Sequence, residues 1–196
     1  MASSQQRQLD LAYRRTLEAA RQQVIAALEL EFDDAIDPND IAASFDAFVE
    51  RATAHVEQGQ VAAQQLATAY LALAIEDAGA VDDLVPEDDS IPGTTRAGKT
   101  LVDGLAPFGS MALAAIANGA PAGDAIAFAK TLVTGFADRE TERQSQASDA
   151  IVGWEGIVQP GACDRCQANA GPHDLTDEFW RHNGCNCTRL VTFASA

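Results

Sequence analysis

The chain has 196 residues, 47% of them apolar, with 13 basic against 29 acidic residues and a net charge of −16. That mixture belongs to a folded protein with one real core, excludes a disordered tail, and leaves no broad basic face for nucleic acid. No stretch reaches the roughly 18 apolar residues that span a bilayer, and the opening MASSQQRQLDLAYRR lacks the apolar centre of a secretory signal, so a cytosolic origin without membrane contact is expected.

The first long pattern is helical. In QLDLAYRRTLEAARQQVIAALELEF, the residues Leu9, Tyr13, Leu17, Ala20, Val24 and Leu28 recur on one stripe, with charged and Gln residues opposite. A second helix opens at DPND, where Asp37 is placed to cap, Pro38 suits the first helical position and Asp40 faces the positive end of the dipole. Its apolar face begins Ile41, Phe45, Phe48, Val49, Ala52, Val56, and the pattern continues through Val61, Leu66, Tyr70 and Leu73 to EDAGA. A helix of that extent spans about 60 Å, so an extended arm or a helical hairpin is expected.

Residues 79–98, GAVDDLVPEDDSIPGTTRAG, read as an acidic surface loop that holds Asp82, Asp83, Glu87, Asp88 and Asp89. Inside the stretch that follows, Gly93, Gly98, Lys99 and Thr100 satisfy the phosphate-binding pattern G-x-x-x-x-G-K-[ST]. The pattern works only where a buried strand delivers the glycines to a helix N-terminus. Here VPEDDSIP precedes it, with acids that repel a polyphosphate, and the reading adopted is a glycine turn before a helix near Thr100. Helix resumes in LVDGLAPFGSMALAAIANG, interrupted at Pro107, and in PAGDAIAFAKTLVTGFADRETERQSQASDAIV, where Pro121 and Asp124 are start signals.

The last fifty residues are composed differently. WEGIV and TRLVTF have the β-branched and aromatic content of short strands. Between them lie Cys163 and Cys166 as C-x2-C, then His182, Cys185 and Cys187 as H-x2-C-x-C. Two residues between thiolates let both sulfurs reach one tetrahedral ion, and the gap to the second group suits a zinc site. Three donors compete for two places there: Cys163, Cys166 and Cys185 with either His182 or Cys187 would hold a structural zinc. Reduced structural cysteines or a disulfide are the alternatives. His173 in GPHD reads as a solvated loop residue, and His55 as a helix residue without a ligand role. Four protein ligands leave no open position on the metal, and no H-E-x-x-H or similar base accompanies it, so no enzymatic activity and no small-molecule substrate are expected.

RETERQSQASDAIVGWEGIVQPGACDRCQANAG followed by HNGCNCT resembles the C-terminal module of the Mu F-like minor head proteins of tailed bacteriophages, best over residues 138–193. The helical half, DPNDIAASFDAFVERATAHVEQGQVAAQQLATAY, is similar in style to the segment preceding that module in phages of actinobacteria. The resemblance implies a minor capsid protein at the portal vertex or inner head, acting in head morphogenesis, DNA packaging or ejection. It implies a portal or major capsid protein as partner, with packaged DNA nearby. Carried over by position, it marks Cys163, Cys166, His182, Cys185 and Cys187, with Trp154 in the core. A zinc-ribbon regulatory module that binds nucleic acid is the alternative, although residues 148–196 hold six acids against three Arg. A P-loop nucleotide-binding protein is a further one. The architecture expected is mainly α: an elongated body of long helices over residues 1–150, and a small β-hairpin and zinc-knuckle module over 151–196.

Overall fold

The computed structural model describes residues 4–37, 39–80, 137–158, 160–177 and 187–194. Helix α1 runs Ser4–Ala35 and helix α2 runs Ile41–Asp77, 32 and 37 residues, joined by a short connection. They pack antiparallel. Near one end the Tyr13 and Tyr70 rings stack with centroids 4.4 Å apart; at the other, Arg51 reaches Asp34 at 2.7 Å and Glu31 at 3.3 Å. The expected long helix thus takes the hairpin form rather than a free arm.

The cap of α2 differs in detail from the expectation. Asp40, not Asp37, is the N-cap, its carboxylate accepting from the Ala43 amide at 3.3 Å. Asp37 instead closes the turn before it, accepting from the Asn39 amide at 2.8 Å. Two aspartates three residues apart offer the same chemistry, and the one next to the first apolar turn takes the cap. At the far end Gly79 adopts φ 69°, its amide bonds Glu76 O, and the Ala80 amide bonds Ile75 O. This left-handed closure suits glycine and satisfies the last carbonyls.

The seam between the helices is buried. Leu17, Val24 and Leu28 of α1 meet Phe48, Ala52 and Val56 of α2, with Phe32 edge-on to Phe48 at 5.3 Å. Beyond Val56 the inward stripe of α2 is Ala63, Ala67, Tyr70, Leu71 and Ala74. Val61 and Leu73, assigned inward from the sequence, are 37% and 48% exposed. Keeping the 3.6-residue phase turns Val61 and Leu73 outward and brings alanines inward beside the large Tyr70, Leu71 and Gln60. Burial pushes the Tyr70 hydroxyl far above its usual pKa, and it donates to Asp10 at 2.9 Å.

Residues 137–147 are helical, as expected for that part of the chain. Buried Glu140 accepts from Arg143 at 2.8 Å, from Gln144 at 2.8 Å and from Thr68 of α2 at 3.3 Å. Burial acts to raise its pKa, but these donors outweigh it and hold the carboxyl below the usual range.

The C-terminal region forms a three-stranded antiparallel sheet in place of a two-stranded hairpin. Strands β1 (Ile151–Ile157), β2 (Gly171–Asp174) and β3 (Thr188–Phe193) stand in the order β2-β1-β3. WEGIV and TRLVTF are strands, as read; GPHD, read as loop, is the third. Ile151, Leu190 and Val191 belong to the same buried cluster as Tyr13, Tyr70 and Ala137, so one core serves the hairpin and the sheet. Among the described residues no helix is long and apolar enough to cross a membrane.

Candidate functional site

Trp154 is the centre of the C-terminal module. It stands in the middle strand, opposite His173 of β2 and Val191 of β3, and is 1% exposed. Its ring stacks on the His173 imidazole at 4.0 Å with 10° between planes, and the Arg189 guanidinium lies 5.1 Å from its centroid. Arg189 is itself buried and reaches Glu142 at 3.7 Å, which ties β3 to the helical segment 137–147. A cation over a desolvated indole adds about 2 kcal/mol of attraction.

The thiols gather beside this ring. Cys166, in the short helix Asp164–Gln167, and Cys187, just before β3, are both buried and form a small cluster with Trp154, flanked by Val158 and Ala162. Cys163 is exposed and takes the N-cap position of the short helix. Its sulfur accepts no capping hydrogen bond, but the Cys166 amide and, more weakly, the Cys166 thiol and the Arg165 amide are donors that favour its thiolate. These donors hold the Cys163 thiol below its usual pKa, against weaker opposition from desolvation. Cys163, Cys166 and Cys187 are all free thiols.

The short helix reaches the ring because β1 carries glycine at the crossing. A Cβ built on Gly156 would run into the main-chain carbonyl of Asn169. Asn169 is buried, and its amide bonds Cys166 O at 3.0 Å, so the turn that carries the thiols rests directly on the strand. On the other side His173 Nδ1 lies 3.4 Å from Asp177, and its Nε2 is buried without a hydrogen-bond partner among the described residues.

Of the five residues singled out from the sequence the structure describes three: Cys166 and Cys187 are buried together beside Trp154, and Cys163 stands exposed at the head of the short helix. His182 and Cys185 lie outside the described residues, as do Phe179, Trp180, the phosphate-loop positions Gly93 to Thr100 and the acids from Asp82 to Asp89. Cysteine sulfurs at C-x2-C spacing have the donor chemistry of a zinc site. Among the described residues, however, no group of three or more His, Cys, Asp or Glu side chains is arranged to hold a metal ion. His55 binds Glu31 at 3.2 Å, a helix-to-helix contact remote from the thiols in sequence and fold.

Three participants were missed by sequence reading. His173 is no solvated loop residue: it lies on β2 with its side chain 21% exposed against Trp154. The four-residue strand is too short for an alternation signal. Arg189 and Gly156 were hidden inside strand patterns, where an arginine between Thr188 and Leu190 and a glycine in mid-strand mark a buried cation and a close backbone approach.

No family model, no curated protein and no solved structure matches this chain.

Proposed function

We propose that this chain is a structural, non-enzymatic minor capsid component of a tailed phage, of the Mu F-like type, at the portal vertex or inner head. The observation that carries the reading is the C-terminal constellation: Trp154 in the central strand, with the C-x2-C turn and Cys187 gathered beside it. That arrangement accords with the sequence resemblance over residues 138–193. The helical hairpin supplies a docking body. An open groove of about 380 Å³ runs between α1 and α2, lined by uncharged side chains including Ala19, Ala20, Gln23, Ala62 and Leu66. In a chain this acidic, such a face suits a partner helix from a portal or capsid protein.

Zinc belongs to the same proposal as a structural staple. Cys163 and Cys166 would supply one half of its ligands, and Cys185 with either His182 or Cys187 the other. The burial of Cys187 beside Cys166 favours Cys187 over His182. The ion would link the short helix to the start of β3 and so fix the turn that carries the thiols to the sheet.

Native mass spectrometry of the full chain, with and without chelator, tests the zinc proposal. One zinc per chain, lost in Cys163→Ser and Cys185→Ser, supports it; a metal-free chain removes it. Co-expression with a tailed-phage portal protein and head precursor tests the assembly role. Incorporation into heads at a few copies supports the role, and exclusion from heads and portals refutes it. A gel shift with duplex and single-stranded DNA at low salt separates the regulatory alternative, and nucleotide binding abolished by Lys99→Ala would favour the P-loop one.

A further inference from the structure

Helix α1 carries one short pattern twice, with opposite charge. Leu11-Ala12-Tyr13-Arg14-Arg15 and Leu30-Glu31-Phe32-Asp33-Asp34 each place an aromatic residue two positions after a leucine and a like-charged pair three and four positions after it. In both copies the aromatic packs inward, Tyr13 on Tyr70 and Phe32 on Phe48. The leucines stay outside: Leu11 is 44% exposed and Leu30 is 72% exposed. Residues three and four apart share one patch of helix surface, so each end of α1 presents an apolar knob beside a like-charged pair. An opposite charge stands at each end: Asp10 near Arg14, and Arg51 on Glu31 and Asp34.

The surrounding sequence sharpens the contrast. Residues 1–21 contain four Arg against two acids, whereas residues 22–50 contain eight acids and no Lys or Arg. Arg15 and Asp33 make no ion pair among the described residues, and Asp34, although held by Arg51, remains 75% exposed. The two patches lie 19 residues apart, about 29 Å along the rigid helix, and cannot meet within one chain. Each is the electrostatic and apolar complement of the other, so the partner that fits is a second copy. Nineteen steps of about 100° leave the patches roughly 100° apart around the helix. A two-fold antiparallel pair of α1 helices would therefore not seat both contacts at once.

We propose that copies of this chain associate head to tail, the acidic hairpin tip around Leu30 of one copy docking on the arginine end around Leu11 of the next. Such a heterologous contact builds a ring or an open chain. It is independent of the portal reading and of zinc.

The test is sedimentation velocity of the full chain in low and high salt with two charge-reversed variants. Arg14→Glu/Arg15→Glu reverses the base; Glu29→Arg/Asp33→Arg reverses the tip and leaves Asp34 with Arg51. Wild type is expected to form species larger than a monomer at about 0.01 M salt that shrink at about 1 M, as the screening length falls from about 30 to about 3 Å. Either variant alone, with helical content unchanged by circular dichroism, is expected to stay monomeric. Their equimolar mixture is expected to assemble, since each reversed end then meets its complement. Leu30→Ala, a change at an exposed position that leaves the core intact, is expected to weaken association about tenfold. A wild type monomeric at low salt overturns the proposal, as does a mixture of folded variants that fails to assemble. Should either reversed variant misfold, unchanged association of Leu30→Ala overturns it.

Discussion

Gly156→Ala is expected to lift the thiol-bearing turn off the central strand. The added methyl would overlap the Asn169 carbonyl and stand 3.3 Å from Trp154 Cζ3. A side chain could rotate away, but this obstacle is backbone, held by Asn169 N to Cys166 O and Ala170 N to Gln167 O, both 3.0 Å. Contact distances of about 3.5 Å oblige the turn to retreat by roughly 2 Å. Overpacking costs 1–3 kcal/mol where side chains can yield; with a main-chain obstacle the cost is about 3 kcal/mol or more. Gly79→Ala is the control, since open space surrounds it and only its φ of 69° is unfavourable, a cost of about 1 kcal/mol. Urea titrations followed by circular dichroism and tryptophan emission would measure both. In Gly156→Ala the buried Cys166 and Cys187 are also expected to react with a thiol reagent at rates approaching that of exposed Cys163. If Gly156→Ala costs no more than Gly79→Ala and leaves both thiols protected, the argument from close approach is wrong.

Leu28→Ala, at a fully buried seam position, is expected to lose about 2–5 kcal/mol in denaturant titrations, while exposed Leu30→Ala changes stability by less than about 0.5 kcal/mol; equal losses would contradict the assigned helix faces. Burial raises the Asp10 carboxyl above its usual pKa, and the hydrogen bonds from Gln6 and Tyr70 with the Arg14 charge only partly offset this. The folded chain thus keeps that proton to higher pH than the unfolded chain. The stabilisation is full below the ordinary pKa and is lost as pH rises through the raised one. Unfolding midpoints of wild type relative to Asp10→Asn are therefore expected to fall as pH rises above the ordinary carboxyl range, and a rise would show that the donors dominate. In metal-free protein, Cys163 is expected to be alkylated before Cys166 and Cys187, because it is exposed and its thiolate is favoured by neighbouring donors; peptide mapping after brief iodoacetamide treatment reads the order, and uniform labelling would count against it.

Much of the helical body could be read from periodicity alone. Tyr13, Leu17, Val24 and Leu28 recur at helix spacing, and they are the buried apolar residues of α1; the polar Gln6 and Arg21, buried with them, were not read. The errors arose where periodicity and side-chain size disagree. Val61 and Leu73 are larger and more apolar than Ala63 and Ala74, yet the alanines are buried because helical phase, not apolarity, decides which positions face inward. The choice of Asp40 over Asp37 as cap was likewise beyond composition, since either carboxylate can accept an amide and only the path of the connection decides.

The candidate site divides in the same way. The C-x2-C spacing, the H-x2-C-x-C group and the β-rich strands around them are local patterns, and local patterns are what a sequence states. The sequence also determined the charge asymmetry of α1, because helical spacing converts residue order directly into surface patches. Tertiary structure alone decided that His173 and Arg189 converge on Trp154, that Cys187 is buried beside Cys166, and that Gly156 admits the Asn169 carbonyl. Each of these contacts joins segments well separated along the chain, and the strand register that brings them together is set by packing across the whole core rather than by any neighbouring residue.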